Sequence, residues 1–169
     1  MDDDLLGGLH LLVLQLLALD AVVHFEVIWP RLVAVMQSGT YPRVATTLML
    51  LAVLAVVAGV VAFRLDLVSR RTLYLAGVAL VLGQLFAWFV YHNVQTANFG
   101  HSHGTGPFAF VTSTWEHLTD LDEDPLETVS KVAEVIALGL LLVLLRVDPR
   151  ARSGERSRAL GDHETDVDA

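Results

Sequence analysis

The sequence predicts an all-α integral membrane protein, a four-helix bundle with both termini in the cytoplasm. Three observations predict this fold. The chain of 169 residues is 54% hydrophobic with a mean hydropathy of +0.56, which is more apolar surface than a soluble core of this size can hide. Four apolar stretches reach the roughly 20 residues that cross a bilayer, at 9–29, 43–63, 72–94 and 125–147. The basic residues between these stretches are distributed unequally. We therefore expect a multi-pass protein of the cell membrane, with the lipid bilayer as its first partner.

The basic residues indicate the orientation of the chain. Eight of them lie between the second and third stretches or at and beyond the end of the fourth, whereas three lie on the opposite side. Because lysine and arginine accumulate on the cytoplasmic side, both termini are predicted to be cytoplasmic and the two longer connections external. The eight are Arg64, Arg70, Arg71, Arg146, Arg150, Arg152, Arg156 and Arg158, and the three are Arg31, Arg43 and Lys131.

Proline and capping residues indicate where the helices begin and end. Pro30 is expected to end or kink the first helix, because proline lacks an amide hydrogen. Residues 48–63 of the second stretch carry no charge. The segment 124–127, Asp-Pro-Leu-Glu, resembles a capping box with proline at the first helical position. Pro149 then predicts the end of the fourth helix.

The pattern predicts one transmembrane domain over 1–149 and a disordered cytoplasmic tail over 150–169, since the tail is charged and has few apolar residues. The external connection between the third and fourth helices is long for so small a bundle. Apolar residues within it recur at helical spacing. This spacing predicts a short amphipathic helix on the outer membrane surface, with Phe108, Val111, Trp115 and Leu118 on its apolar face.

Composition excludes several kinds of chemistry. The chain has no cysteine, so disulfides, thiolate metal sites and thiol redox reactions are excluded. A formal net charge of −8 disfavours nucleic acid as a partner. Acidic residues with far more arginine than lysine resemble the composition of proteins from salt-loving archaea. That resemblance is compositional, and it explains the acidic runs as solvated surface.

Polar residues interrupt three of the four apolar stretches, and always toward the predicted outer end. Asp20 and His24 are four residues apart and project from one helical face. A carboxylate at this depth is costly and needs a partner, for which His24 is the nearest candidate. Helix two is almost free of polar residues and is predicted to face lipid or a second copy of the chain. The other polar residues are Gln84, Tyr91 and His92 in the third stretch and Lys131 and Glu134 in the fourth.

A metal site is the first of three functional hypotheses. Imidazole and carboxylate ligands without thiolate suit zinc, copper or iron, and helical bundles build such sites from facing helices. The candidate ligands are Asp20, His24, His92 and Glu134, supplemented from the external loop by His101, His103 and His117. Haem b is an alternative cofactor, with His24 and His92 as its axial ligands. An enzymatic activity fits only within this group.

Two other classes of function fit the same residues. A non-catalytic accessory subunit would use its polar outer face to dock other subunits of a membrane complex. A proton or ion pathway would use Asp20, His24, Lys131 and Glu134 as titrating groups. A simpler structural interpretation also applies to single residues. Lys131 can pair with Glu127 or Glu134 on one face of the helix, and this interpretation favours a surface ion pair with Glu127. It also predicts an interfacial position for Trp88 and a His10 side chain that reaches water.

Overall fold

Four α-helices make up nearly all of the chain that the computed structural model describes, which comprises residues 3–40, 43–98 and 125–151, with side chains over 4–40, 43–91 and 125–151. Each helix is long and apolar enough to cross a membrane. The predicted all-helical class and the four spanning helices are thus confirmed. The helices are α1 (Asp3–Ser38), α2 (Val44–Arg64), α3 (Arg70–Asn98) and α4 (Pro125–Val147).

The helices form a ring in which each packs against two others. Helix α1 packs against α2 and α4, and α3 packs against α4 and α2. The contact between α2 and α3 is the smallest of the four, although these helices are adjacent in the chain. Helix α4 therefore lies between α1 and α3, so that polar side chains from these three helices can meet.

A short turn joins α2 to α3 and fixes the start of α3. Asp66 adopts a positive φ of 54°, and the amide of Leu67 donates to the carbonyl of Ala62 at 3.0 Å, which closes the end of α2. Ser69 then caps α3, since its Oγ accepts from the amide of Thr72 at 3.3 Å. This turn brings the first residues of α3 close to the start of α1 and the end of α4.

The buried and exposed surfaces of the bundle have an unusual distribution for a soluble protein. A narrow apolar core is formed by Val13, Tyr74, Val81 and Leu141 with their neighbours. Large apolar side chains cover the outer faces of all four helices, and Phe86 for example is 68% exposed. Contiguous apolar surface of this kind is not stable in water and is covered by lipid in a membrane protein.

The expectation that the first helix ends at Pro30, rather than kinks there, is wrong. Helix α1 continues through Pro30 to Ser38. Proline removes one backbone hydrogen bond, yet spanning helices tolerate it where neighbouring groups satisfy the carbonyl that loses its donor. Helix α3 is also longer at both ends than the predicted 72–94, whereas α4 begins at Pro125 and ends at Val147 as predicted.

Candidate functional site

A buried carboxylate, Asp20 of α1, lies at the centre of a polar cluster inside the bundle. Its side chain is only 1% exposed. Oδ1 accepts a hydrogen bond from the Ser130 hydroxyl at 2.6 Å, and Oδ2 accepts one from Nε2 of Gln84 at 3.0 Å. Three helices thus converge on one carboxylate. We refer to Asp20, His24, Gln84, Ser130, Lys131 and Glu134 as the Asp20 cluster.

The imidazole of His24 packs against Asp20 one helical turn away. Its Nδ1 lies 3.1 Å from Oδ1 of Asp20 and 3.0 Å from the Asp20 carbonyl oxygen. Both neighbours are acceptors, so Nδ1 carries the hydrogen. In the neutral ring the other nitrogen, Nε2, is then the acceptor.

Helix α4 contributes a buried ion pair to the cluster. Nζ of Lys131 donates to Oε1 of Glu134, three residues further along the helix. Glu134 is fully buried, and its second oxygen, Oε2, has no hydrogen-bond partner. Oε1 of Gln84 likewise has none. Two buried acceptor atoms without donors are unusual in a folded protein, and both are suited to a cation or a hydrogen-bond donor.

The spacing of the cluster is compatible with a metal ion. Asp20, His24 and Glu134 each offer a ligand atom, and these atoms all lie within 4.8 Å of one another. Among the described residues, these three carboxylate and imidazole side chains are the group that lies close enough together to share one ion. It has the residue types and the spacing to hold a metal.

Formal charge in the cluster does not balance. Asp20 and Glu134 are two carboxylates, and Lys131 is one ammonium. One negative charge is therefore left over when His24 is neutral. An unbalanced charge is costly inside a bilayer, so the cluster is suited to binding one more cation or proton.

The structure places only part of the predicted ligand set. It brings Asp20, His24 and Glu134 together. His92 belongs to α3, but its side chain lies outside the described residues. The loop histidines at 101, 103 and 117, and the amphipathic helix predicted around them, also lie outside the described part of the chain.

One structural expectation about this region is wrong. Lys131 does not pair with Glu127 at the surface, because it is 5% exposed and bonds to Glu134. Glu127 instead accepts a hydrogen bond from Nε1 of Trp88, which is half-buried. The ammonium of Lys131 also lies 6.0 Å from the centre of the Trp88 ring. Lys131 pairs with Glu134 because this face of α4 points into the bundle. Helical spacing alone does not show which face of a helix points inward.

Sequence reasoning missed Ser130 and a second polar cluster at the opposite end of the bundle. Ser130 precedes Glu134 by one turn and shares its face, a usable signal. At the other end the Tyr74 hydroxyl donates to Oδ2 of Asp148 and contacts Nε2 of His10. His10 is thus held by Tyr74 and stays partly exposed, with 16% of its side-chain surface accessible. We refer to His10, Tyr74 and Asp148 as the Tyr74 cluster.

Comparisons of the chain with models of protein families, with curated proteins and with solved structures gave no match. The function is therefore inferred from the residues of this chain alone. Of the two polar clusters described, the Asp20 cluster is the one that brings three carboxylate and imidazole side chains together, with ligand atoms within 4.8 Å of one another.

Proposed function

We propose that this membrane protein binds one divalent transition-metal ion in the Asp20 cluster. The observation that carries the proposal is the buried Oε2 of Glu134, a carboxyl oxygen without a donor beside an aspartate and a histidine. Leaving such an atom unsatisfied costs free energy in the absence of a ligand. A metal ion removes that cost and supplies the positive charge that the cluster lacks.

The available donors fit a metal of intermediate hardness. They are carboxylate oxygens of Asp20 and Glu134, one imidazole nitrogen of His24 and the unpartnered amide oxygen of Gln84. Nitrogen and oxygen donors without sulfur suit zinc, copper(II) or non-haem iron. Ligand atoms around a tetrahedral zinc ion are about 3.4 Å apart from one another. Because the ligand atoms lie within 4.8 Å of one another, the side chains must move closer together to bind the ion.

Lys131 is proposed to adjust the charge of the metal site without blocking the ion. Its ammonium occupies Oε1 of Glu134 and leaves Oε2 for the metal. It also repels a second cation, so the cluster is proposed to hold a single ion. The ion pair with Lys131 offsets part of the cost of burying the Glu134 carboxylate.

The proposed depth of the site follows from helix geometry. Ten residues of α1 separate His10 from Asp20, which is about 15 Å and half the hydrocarbon thickness. The arginine distribution predicts that the Tyr74 cluster lies at the cytoplasmic surface. The proposed metal then lies in the outer half of the bilayer, close to the mid-plane. A polar cluster at that depth is typical of a functional site.

Thermal unfolding with added metal tests the proposal. The detergent-solubilised protein is stripped with a chelator and then titrated separately with zinc, manganese, iron(II) and copper(II). At least one metal is expected to raise the midpoint of unfolding, because a ligand that binds only the folded state stabilises it. Glu134→Gln removes this response, whereas Glu26→Gln, the same change on the exposed face of α1, keeps it. Equal responses in both variants would contradict the proposal.

Proton binding is a second candidate, favoured by the single unbalanced negative charge of the cluster. One proton on Asp20, His24 or Glu134 makes the cluster neutral, whereas a divalent metal makes it positive. A proton pathway predicts that Asp20→Asn abolishes pH-driven proton flux in proteoliposomes while chelators have no effect. Metal binding predicts the opposite, a chelator-sensitive site in a protein that carries no flux.

A further inference from the structure

Two cavities adjoin at the end of the bundle that carries the Tyr74 cluster. One has a volume of about 380 Å³ and is lined by the charged side chains of Arg70, Asp148 and Arg150; we call it the polar pocket. The other is an apolar groove of about 140 Å³. His10 and Phe63 line both, so the two spaces are neighbours. A charged pocket beside an apolar groove matches a ligand with a charged head and a hydrocarbon tail.

The polar pocket contains a guanidinium that is not satisfied by the protein. Nη1 of Arg70 is buried and has no hydrogen-bond partner among the described residues. Nη2 lies 3.4 Å from Oδ1 of Asp66, whose side chain is 73% exposed and therefore holds it weakly. The guanidinium stacks on Phe63 with its carbon 3.8 Å from the ring centre. Arg70 is thus held in place with one donor nitrogen unused.

The charges around this pocket favour an anion. Arg70 and Arg150 contribute two positive charges to the lining, and Asp148 contributes one negative charge. Both oxygens of Asp148 are already occupied, since Oδ2 accepts from Tyr74 and Oδ1 accepts from the amide of Arg150 at 2.8 Å. Asp148 is also buried, with its carboxylate turned to these donors. Among the described residues of this lining, the buried side-chain atom without a partner is Nη1 of Arg70.

The apolar groove lies where α2 and α3 are least tightly packed. Small residues leave this space, among them Ala55 and Gly59 of α2 and Ala76 of α3. A Cβ atom built on Gly59 would meet nothing within 4 Å. Apolar cavities of about this size stay dry and accept hydrocarbon. Because the outer faces of both helices are covered with exposed leucine and valine, hydrocarbon is also the surrounding solvent.

We propose that an anionic phospholipid binds at this end of the bundle, with its phosphate on Arg70 in the polar pocket and an acyl chain in the groove between α2 and α3. Guanidinium groups bind phosphate through paired, charge-assisted hydrogen bonds, and Nη1 of Arg70 supplies the unused donor. The pocket lies at the level where headgroups meet the helix ends. This site is separate from the Asp20 cluster and does not depend on a metal there.

Native mass spectrometry of the full chain tests the headgroup contact. The detergent-solubilised protein is mixed with increasing amounts of phosphatidylglycerol or phosphatidylcholine and then released from detergent. The number of bound lipid molecules is compared between the two lipids. One phosphatidylglycerol is expected to bind with preference. Arg70→Gln weakens that binding about tenfold or more, since charge-assisted hydrogen bonds are lost. Arg64→Gln, the same change at an exposed arginine outside the pocket, leaves the affinity unchanged.

A second pair of variants tests the acyl chain. Gly59→Leu fills the groove, and Gly83→Leu adds the same side chain to α3 outside it; at both positions a new Cβ meets no atom within 4 Å. Only Gly59→Leu is expected to displace the lipid. Circular dichroism of both variants checks that the helices are intact.

Three outcomes would overturn the proposal. The first is equal binding of phosphatidylglycerol and phosphatidylcholine. The second is equal loss of binding in Arg64→Gln or Gly83→Leu. The third is displacement of the lipid by millimolar inorganic phosphate together with no effect of Gly59→Leu, which would identify a site for free phosphate rather than for a lipid.

Discussion

Nδ1 of His24 lies 3.1 Å from Oδ1 of Asp20, one turn earlier in α1, and 3.0 Å from the carbonyl oxygen of the same residue. These two acceptors fix the orientation of the imidazole ring. They also place a hydrogen on Nδ1.

Replacing His24 by glutamine is expected to lower metal affinity by at least about 100-fold, since changes in outer-shell partners alone cost about 10- to 100-fold. The measurement is competition with a chelator of known affinity in the detergent-solubilised protein. His10→Gln is the matched control, because His10 belongs to the Tyr74 cluster and is outside the group of candidate ligands. A similar loss of affinity in both variants would show that His24 has no special role.

Replacing Lys131 by methionine separates a metal site from a structural ion pair. Without metal, the variant is expected to lose about 3–5 kcal/mol of stability, because Glu134 is left buried without its partner. With metal, stability recovers and affinity rises, since both oxygens of Glu134 become available and the repelling ammonium is gone. Denaturation with and without metal measures both effects.

The control for this prediction is Arg31→Met, which removes a positive charge from an exposed position of α1. It should change neither stability nor metal binding by much. If Lys131→Met is destabilised equally with and without every metal tested, the Lys131–Glu134 pair is structural and the metal proposal loses its support.

Replacing Ser130 by alanine is expected to destabilise the protein by about 1–3 kcal/mol, because a buried carboxylate oxygen of Asp20 loses its hydroxyl donor. The free energy of unfolding measures the loss. Ser38→Ala, at the exposed end of α1, is the matched control and should stay close to the unchanged protein. If Ser130→Ala is equally neutral, Asp20 does not depend on this hydrogen bond.

Much of the fold could be predicted because each spanning helix needs a long run of apolar residues, which is visible in the sequence. Four apolar stretches of sufficient length predicted four helices, and the bounds of α4 were correct. Pro30 could not be read correctly from local sequence, since its cost depends on whether neighbours satisfy a freed carbonyl. The result is a first helix that reaches Ser38.

The candidate site was predictable only where both partners lie on one helix. Asp20 and His24 are four residues apart, so their contact followed from helical periodicity. Contacts of Asp20 with Gln84 and Ser130 depend on how three helices pack, which single-helix periodicity does not determine. The same is true of Tyr74 with Asp148, which are 74 residues apart.

Removing the hydroxyl of Tyr74 tests the cluster that sequence reasoning missed. Tyr74→Phe is expected to cost about 1–3 kcal/mol, because Asp148 loses a donor in a buried position. A double-mutant cycle with Asp148→Asn should show a coupling energy above about 0.5 kcal/mol. Additive losses would mean that the two side chains do not act as a pair.

X-ray absorption of the metal-loaded protein is the most direct test of metal binding in the Asp20 cluster, because it identifies the atoms bound to the ion. We expect one ion per chain, bound by one imidazole nitrogen from His24 and by carboxylate oxygens from Asp20 and Glu134. No thiolate sulfur is expected, since the chain has no cysteine. The imidazole signal should disappear in His24→Gln. No bound ion, or a spectrum that is the same in His24→Gln and Glu134→Gln as in the unchanged protein, would contradict metal binding in this cluster.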